Sequence, residues 1–128
     1  MTVHRVLVVE DNERNLKLVR DVLQHAGFEV LEARTGERGV ELAGLYRPHL
    51  ILMDLKLPGV DGEQALRLIR DDERTRRIPV IAVTASVMQQ DRDRVLEAGF
   101  DGYLGKPISV RALPSQVLQF LTGEEPLR

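Results

Sequence analysis

The chain has 128 residues and a mass of 14.5 kDa, the size of one domain, and its 43% hydrophobic and 30% charged residues are the balance of a soluble folded protein. Its 18 basic and 20 acidic residues leave a formal charge of −2, which disfavours a strongly basic nucleic-acid binder, and the lack of cysteine excludes disulfides, thiolate metal sites and cysteine nucleophiles. Arginine supplies 15 of the 18 cations, a bias of composition rather than a site. With only His4, His25 and His49 available and no convergent spacing among them, an ordinary zinc site is disfavoured. The apolar runs extend over only about four residues, so nothing reads as a membrane span. The N-terminus lacks an apolar signal core, and a cytoplasmic location is expected.

In chain order, Val6-Leu7-Val8-Val9 reads as a first strand. Asn12 or Asp11 can cap the helix that follows, whose Val19, Val22, Leu23 and Ala26 fall three or four apart, and Gly27 can end it. Val30-Leu31 and Leu50-Ile51-Leu52-Met53 are the next strands. Pro58-Gly59-Val60-Asp61-Gly62 is a turn and helix start, continued by Ala65, Leu66 and Ile69. Arg74, Arg76 and Arg77 form a solvated loop before the fourth strand, Val80-Ile81-Ala82-Val83. Residues 88–98 are helix-compatible, but their thin apolar stripe predicts a poorly anchored helix. Tyr103-Leu104 is the fifth strand. Ser109 can cap a last helix carrying Leu113, Val117, Phe120 and Leu121. Pro114 then falls about five residues in, so this helix starts late or has a distorted first turn.

The order is βαβαβαβαβα, with strands rich in Val, Ile and Leu as in a parallel sheet covered on both faces. Such a sheet binds ligands at the carboxyl ends of its strands. There the sequence sets Glu10-Asp11 after the first strand, Asp54 at the end of the third, Thr84 at the end of the fourth and Lys106-Pro107 after the fifth. Three converging carboxylates repel one another and are costly to bury unpaired. A hard divalent cation such as Mg2+ removes that cost. Lys106 would balance the charge of a phosphoryl group beside the metal, the Thr84 hydroxyl would donate to it, and a carboxylate such as Asp54 could accept it as an acyl phosphate.

These residues resemble the receiver domain of two-component response regulators. The matching strings are Val8-Val9-Glu10-Asp11-Asn12, Leu52-Met53-Asp54-Leu55 with Leu57-Pro58-Gly59-Val60-Asp61-Gly62, Val83-Thr84-Ala85 and Gly105-Lys106-Pro107. They span roughly residues 3–122 in the family's order and spacing. The resemblance implies a single receiver domain over residues 1–128 without an output domain. It also implies a flavodoxin-like α/β fold with strand order 2-1-3-4-5. Asp54 would accept a phosphoryl group, with Mg2+ held by Glu10, Asp11, Asp54 and the Lys56 backbone carbonyl. Thr84, Lys106 and the Ala85 amide would contact the phosphoryl oxygens. Thr84 and Tyr103 would form the conformational switch, and the Lys106-Pro107 peptide would be cis. The residues two beyond the acceptor and two beyond the threonine, here Lys56 and Ser86, influence the lifetime of the phosphorylated state in the family. Glu10-Asp11-Asn12-Glu13, Asp54-Leu55-Lys56-Leu57-Pro58 and Lys106-Pro107-Ile108-Ser109 look most like the DivK type of stand-alone bacterial receivers.

The expected partners are a sensor histidine kinase or histidine phosphotransfer protein upstream, met through the first helix around Arg14, Asn15, Leu18 and Val22. Downstream, a protein target would meet the face made by the fourth helix, fifth strand and fifth helix. Neither nucleic acid nor membrane is expected, and no enzymatic activity beyond the chain's own phosphorylation and dephosphorylation. The alternatives are a receiver module of a hybrid histidine kinase and a pseudo-receiver that only docks. An aspartyl-phosphate phosphatase would want a second Asp where Lys56 stands. A flavin carrier would want a Ser/Thr/Gly-rich loop where Glu10-Asp11-Asn12-Glu13 stands.

Overall fold

A computed structural model of the chain describes residues 3–85 and 88–123. Ser86 and residues 124–128 lie outside the described residues. The elements alternate as β1 (Arg5–Val9), α1 (Glu13–His25), β2 (Glu29–Ala33), α2 (Gly36–Tyr46), β3 (Leu50–Asp54), α3 (Gly62–Asp71), β4 (Val80–Thr84), α4 (Gln89–Glu97), β5 (Gly102–Gly105) and α5 (Leu113–Thr122). The five strands are all parallel, in the order β2-β1-β3-β4-β5. This is the doubly wound, flavodoxin-like α/β arrangement.

The alternation of side chains along each strand divides the core into two layers. Val6, Val8, Leu50, Leu52, Ile81, Val83 and Leu104 face α1 and α5, where they meet Leu16, Val19, Leu23, Leu113 and Val117. Leu7, Val9, Ile51, Met53, Val80 and Ala82 face the other way, onto Leu42, Ala43, Ala65, Leu66, Ile69 and Val95 from α2, α3 and α4. β1, β3 and β4 are covered on both faces, whereas the edge strand β2 is partly exposed along most of its length, so its Val30-Leu31 is no fully covered run.

The helix ends follow local chemistry. Asn12, not Asp11, caps α1, accepting from the Arg14 and Asn15 amides. Asp61 and Gln64 form a reciprocal capping box at α3. α5 starts late, at Leu113, which places Pro114 in its first turn where a missing N–H costs nothing. Ser109 therefore does not cap α5: its hydroxyl accepts from Ala112 in the turn before the helix, and α5 has no side-chain cap. α4 is held by little, with Val95 its one buried residue and no side-chain cap at its start.

At the amino ends of the strands, Arg70 of α3 donates to the carbonyls of Arg76 (2.9 Å), Ile78 (2.7 Å) and Gly99 (3.3 Å) and to the Asp101 carboxylate (2.7 Å). Asp101 in turn accepts from the Val80 amide at 2.8 Å. One guanidinium thus ties α3, the entry to β4 and the turn between α4 and β5. The Arg74, Arg76 and Arg77 loop is exposed, with Arg74 paired to Asp72. His4 and His49, far apart in the chain, meet edge-to-face at 5.2 Å, and His49 Nδ1 accepts from the Arg5 amide.

Gly62 begins α3 directly behind the end of β3. A Cβ at Gly62 would lie 2.6 Å from the Asp54 carbonyl oxygen and 2.9 Å from Leu55 Cα, both backbone atoms unable to swing aside. Gly62→Ala is expected to destabilise the fold by about 1–3 kcal/mol through overpacking, measured by urea unfolding. A loss within error of zero would show that β3 and α3 can separate freely.

Candidate functional site

The sheet order turns between β1 and β3, because the chain leaves β1 for β2 on one side and returns to β3 on the other. The carboxyl ends of these two strands therefore open a crevice. Glu10 and Asp11 follow β1 directly, and Asp54 is the last residue of β3. Hydrogen bonding fixes the strand ends: Glu10 N donates to Ala33 O at 2.9 Å, and Leu55 N to Val83 O at 3.3 Å.

Glu10 and Asp54 are buried, 5% and 4% exposed, whereas Asp11 is exposed. One carboxylate oxygen from each of the three lies within 4.8 Å of the others. The Lys106 ammonium sits between the two buried acids, 3.0 Å from Glu10 Oε1 and 3.0 Å from Asp54 Oδ2. The other Asp54 oxygen accepts from the Lys56 amide at 3.0 Å, which fixes the plane of the carboxylate, and Glu10 Oε2 accepts from the Asn12 amide at 3.4 Å. Lys106 is placed by its own amide, which donates to the Thr84 carbonyl at 2.8 Å, and is followed by a cis peptide to Pro107.

Burial, with the neighbouring Asp54 carboxylate adding to it against Lys106, raises the Glu10 pKa above its ordinary value. Burial works against the Lys106 charge, but its hydrogen bonds to Asp54 and Glu10 outweigh this and leave its pKa raised. The Lys106 contribution is fully present below the ordinary lysine value of 10.5 and is lost as pH rises through the raised value. The Glu10 contribution is fully present below the ordinary value of 4.5 and is likewise lost as pH rises through its raised value.

Thr84 ends β4, one residue past Val83, the register partner of Asp54, and it pairs with Gly105 of β5. Ala85 follows, exposed at the same edge. Tyr103 lies on β5, half-buried against the α2–α4 layer, with the Arg92 guanidinium over its ring at 5.2 Å from Cζ to centroid. The structure thus gathers Glu10, Asp11, Asp54 and Lys106 at one point, with Lys56 anchored to Asp54. It sets Thr84 and Ala85 on the next strand end and Tyr103 on the strand beyond. Sequence reasoning missed Gly62 behind Asp54 and Arg92 over Tyr103. The first was visible as the Asp61-Gly62 helix start, while the second has no local signal.

The donor set is all oxygen and anionic, which suits a hard cation such as Mg2+ over a softer metal. Glu10, Asp11 and Asp54 thus fit a magnesium ion in a site that also carries a lysine suited to a phosphoryl group.

The chain belongs to the response regulator receiver domain family, whose model matches residues 6–118. It is 43% identical over 116 residues to the polar-differentiation response regulator DivK of Brucella anthropi, covering 91% of this chain and 94% of that one. A crystal structure of the receiver domain of a sensor histidine kinase from Pseudomonas aeruginosa PAO1, with a magnesium ion coordinated in its active-site cleft, superposes with a TM-score of 0.85 at 38% identity, over 96% of this chain and all of that one. The chemotaxis protein CheY4 of Vibrio cholerae, at 24% identity, shares the fold with a TM-score of 0.86 over 93% of this chain and 99% of that one.

Without added metal, the Glu10 contribution to stability is expected to fall as pH rises above its ordinary value of 4.5, because burial raises its pKa. Glu10→Gln is expected to flatten that slope, measured by urea unfolding in chelator at several pH values. An unchanged slope in the variant would assign the dependence to other groups.

Proposed function

We propose that the chain is a phosphoacceptor response regulator that takes a phosphoryl group onto Asp54 and passes the signal to a protein partner. The observation that carries this reading is the buried Asp54 carboxylate, bridged to Lys106 at 3.0 Å and clustered with Glu10 and Asp11. Glu10, Asp11, Asp54 and the Lys56 carbonyl would hold Mg2+, which when bound supplies positive charge against the oxygens of the transferring group. An Asp54 oxygen attacks phosphorus, the phosphorus–nitrogen bond of a donor phosphohistidine breaks, and the imidazole leaves with a proton from solvent. Lys106 exchanges its bond to Asp54 for one to a phosphoryl oxygen, and the Thr84 hydroxyl and Ala85 amide donate to the others. Tyr103 then moves with Thr84, and the α4–β5–α5 face changes.

The partners in this reading are a sensor histidine kinase or phosphotransfer protein and a downstream target protein. Its setting is bacterial and cytoplasmic, in cell-cycle or developmental control, and it turns over no external substrate. Likeness to DivK over nearly its whole length supports a stand-alone regulator. Likeness to the receiver of a sensor kinase over that domain's whole length supports the alternative, a hybrid-kinase module. Among the described residues no helix is long and apolar enough to cross a membrane.

Incubation with acetyl phosphate and magnesium is expected to add one phosphoryl group by intact mass, and to add none in Asp54→Asn or in chelator. Equal uptake by Asp54→Asn would overturn the assignment of the acceptor. Magnesium at ten times its dissociation constant is expected to stabilise the fold by about 1.4 kcal/mol. The same titration monitored by thermal unfolding should give a smaller gain in Asp54→Asn, and an equal gain would move the ion elsewhere.

A further inference from the structure

Among the ion-paired arginines, Arg5, Arg20, Arg34, Arg38, Arg70 and Arg74 each lie within 3.2 Å of a carboxylate, and Arg94 lies 3.7 Å from Glu63. Arg92 makes no ion pair among the described residues, although Asp91 and Asp93 flank it, and its Nε is buried without a hydrogen-bond partner. What it has instead is the face of Tyr103, 5.2 Å from Cζ to the ring centroid. A guanidinium that forgoes carboxylates for a ring is held by the ring's negative face, and the contact strengthens as water is excluded. Arg92 also stands three residues before Val95, on the same face of α4, and Val95 is the one buried residue of that helix. The stack on Tyr103 therefore adds a contact between α4 and β5 beside the buried Val95.

We infer that Arg92 is a positioning residue that restrains the Tyr103 ring against α4 in the unphosphorylated protein and makes the helix travel with the ring. The coupling to phosphoryl uptake rests on the function proposed above. The restraint itself does not. Removing the guanidinium frees the ring, raises the population of the conformer that accepts phosphate and speeds uptake. A cation–π contact of this kind shifts such an equilibrium by about two- to five-fold.

The chain has two tyrosines and no tryptophan, so 3-fluorotyrosine gives two fluorine resonances, assigned by Tyr46→Phe. Tyr46 is a built-in control, because Arg5 lies over its ring at 5.9 Å. Full-length wild type, Arg92→Gln and Arg92→Lys are compared for fluorine spectra and for the rate of uptake from acetyl phosphate with magnesium. Arg92→Gln is expected to move the Tyr103 resonance, leave that of Tyr46, and take up phosphate about two- to five-fold faster. Arg92→Lys, which keeps a cation over the ring, is expected to stay near wild type in both, which separates the ring contact from general loosening of α4. A Tyr103 resonance unmoved in Arg92→Gln overturns the restraint, and a moved resonance with an unchanged uptake rate overturns the coupling. A wild type that takes no phosphoryl group defeats the proposed function, while the Tyr103 resonance still decides the restraint.

Discussion

The Lys106 ammonium between Glu10 and Asp54 is the constraint on which the rest of the site depends. Two carboxylates buried at the ends of adjacent strands repel each other and have lost most of their water, a loss worth several kcal/mol per ion when uncompensated. One cation at 3.0 Å from both makes the arrangement tolerable. It cannot neutralise a third acid, so Asp11 adds charge at the open rim where solvent screens it. The cluster keeps an excess of negative charge and few fixed donors, which is the state that favours entry of a divalent cation.

The scaffold enforces this without help from the ligands. Both core layers are built from the central strands, and the strand ends carrying the acids continue straight out of that core. Backbone hydrogen bonds then set each functional residue: Glu10 to β2, Leu55 to β4 and Lys106 to Thr84. The side chains are oriented by groups the fold must place anyway, the Lys56 amide for Asp54 and the Asn12 amide for Glu10. The placement of the acids and of Lys106 is in this sense a property of the sheet's carboxyl edge, with little left to loop adjustment.

Much of this was legible in the sequence because it depended on strand ends. Continuous apolar runs placed β1, β3 and β4, and the polar residue after each run was the site residue itself. β2 was read too short and as fully covered, because an edge strand has only one flanking neighbour to hide it. α2 entered the reading only through the alternation of elements, since Gly36, Gly39 and Gly44 are poor helix formers; in the structure Gly39 lets the helix lie against Val9 of β1. Ser109 looked like a helix cap by type, but Pro114 fits the first turn and moved the start of α5 past it. The pairing of His4 with His49 and of Arg92 with Tyr103 depends on distant elements, and nothing local reports either.

The Arg70 network gives the sheet's two ends different mechanics. At the amino end one guanidinium clamps α3, the entry to β4 and the turn between α4 and β5, including the Gly99 carbonyl just after α4. At the carboxyl end α4 begins at Gln89, after an N-cap residue, Met88, that makes no side-chain cap hydrogen bond. The helix is thus a beam clamped at its far end and held in its first turn through the Arg92 side chain over Tyr103. On the function proposed above, a displacement near Thr84 would turn it about a pivot at Gly99 rather than slide it along the sheet, with the largest travel at Gln89 and Gln90. Those exposed side chains, far in sequence from the acids, would then sweep the greatest arc.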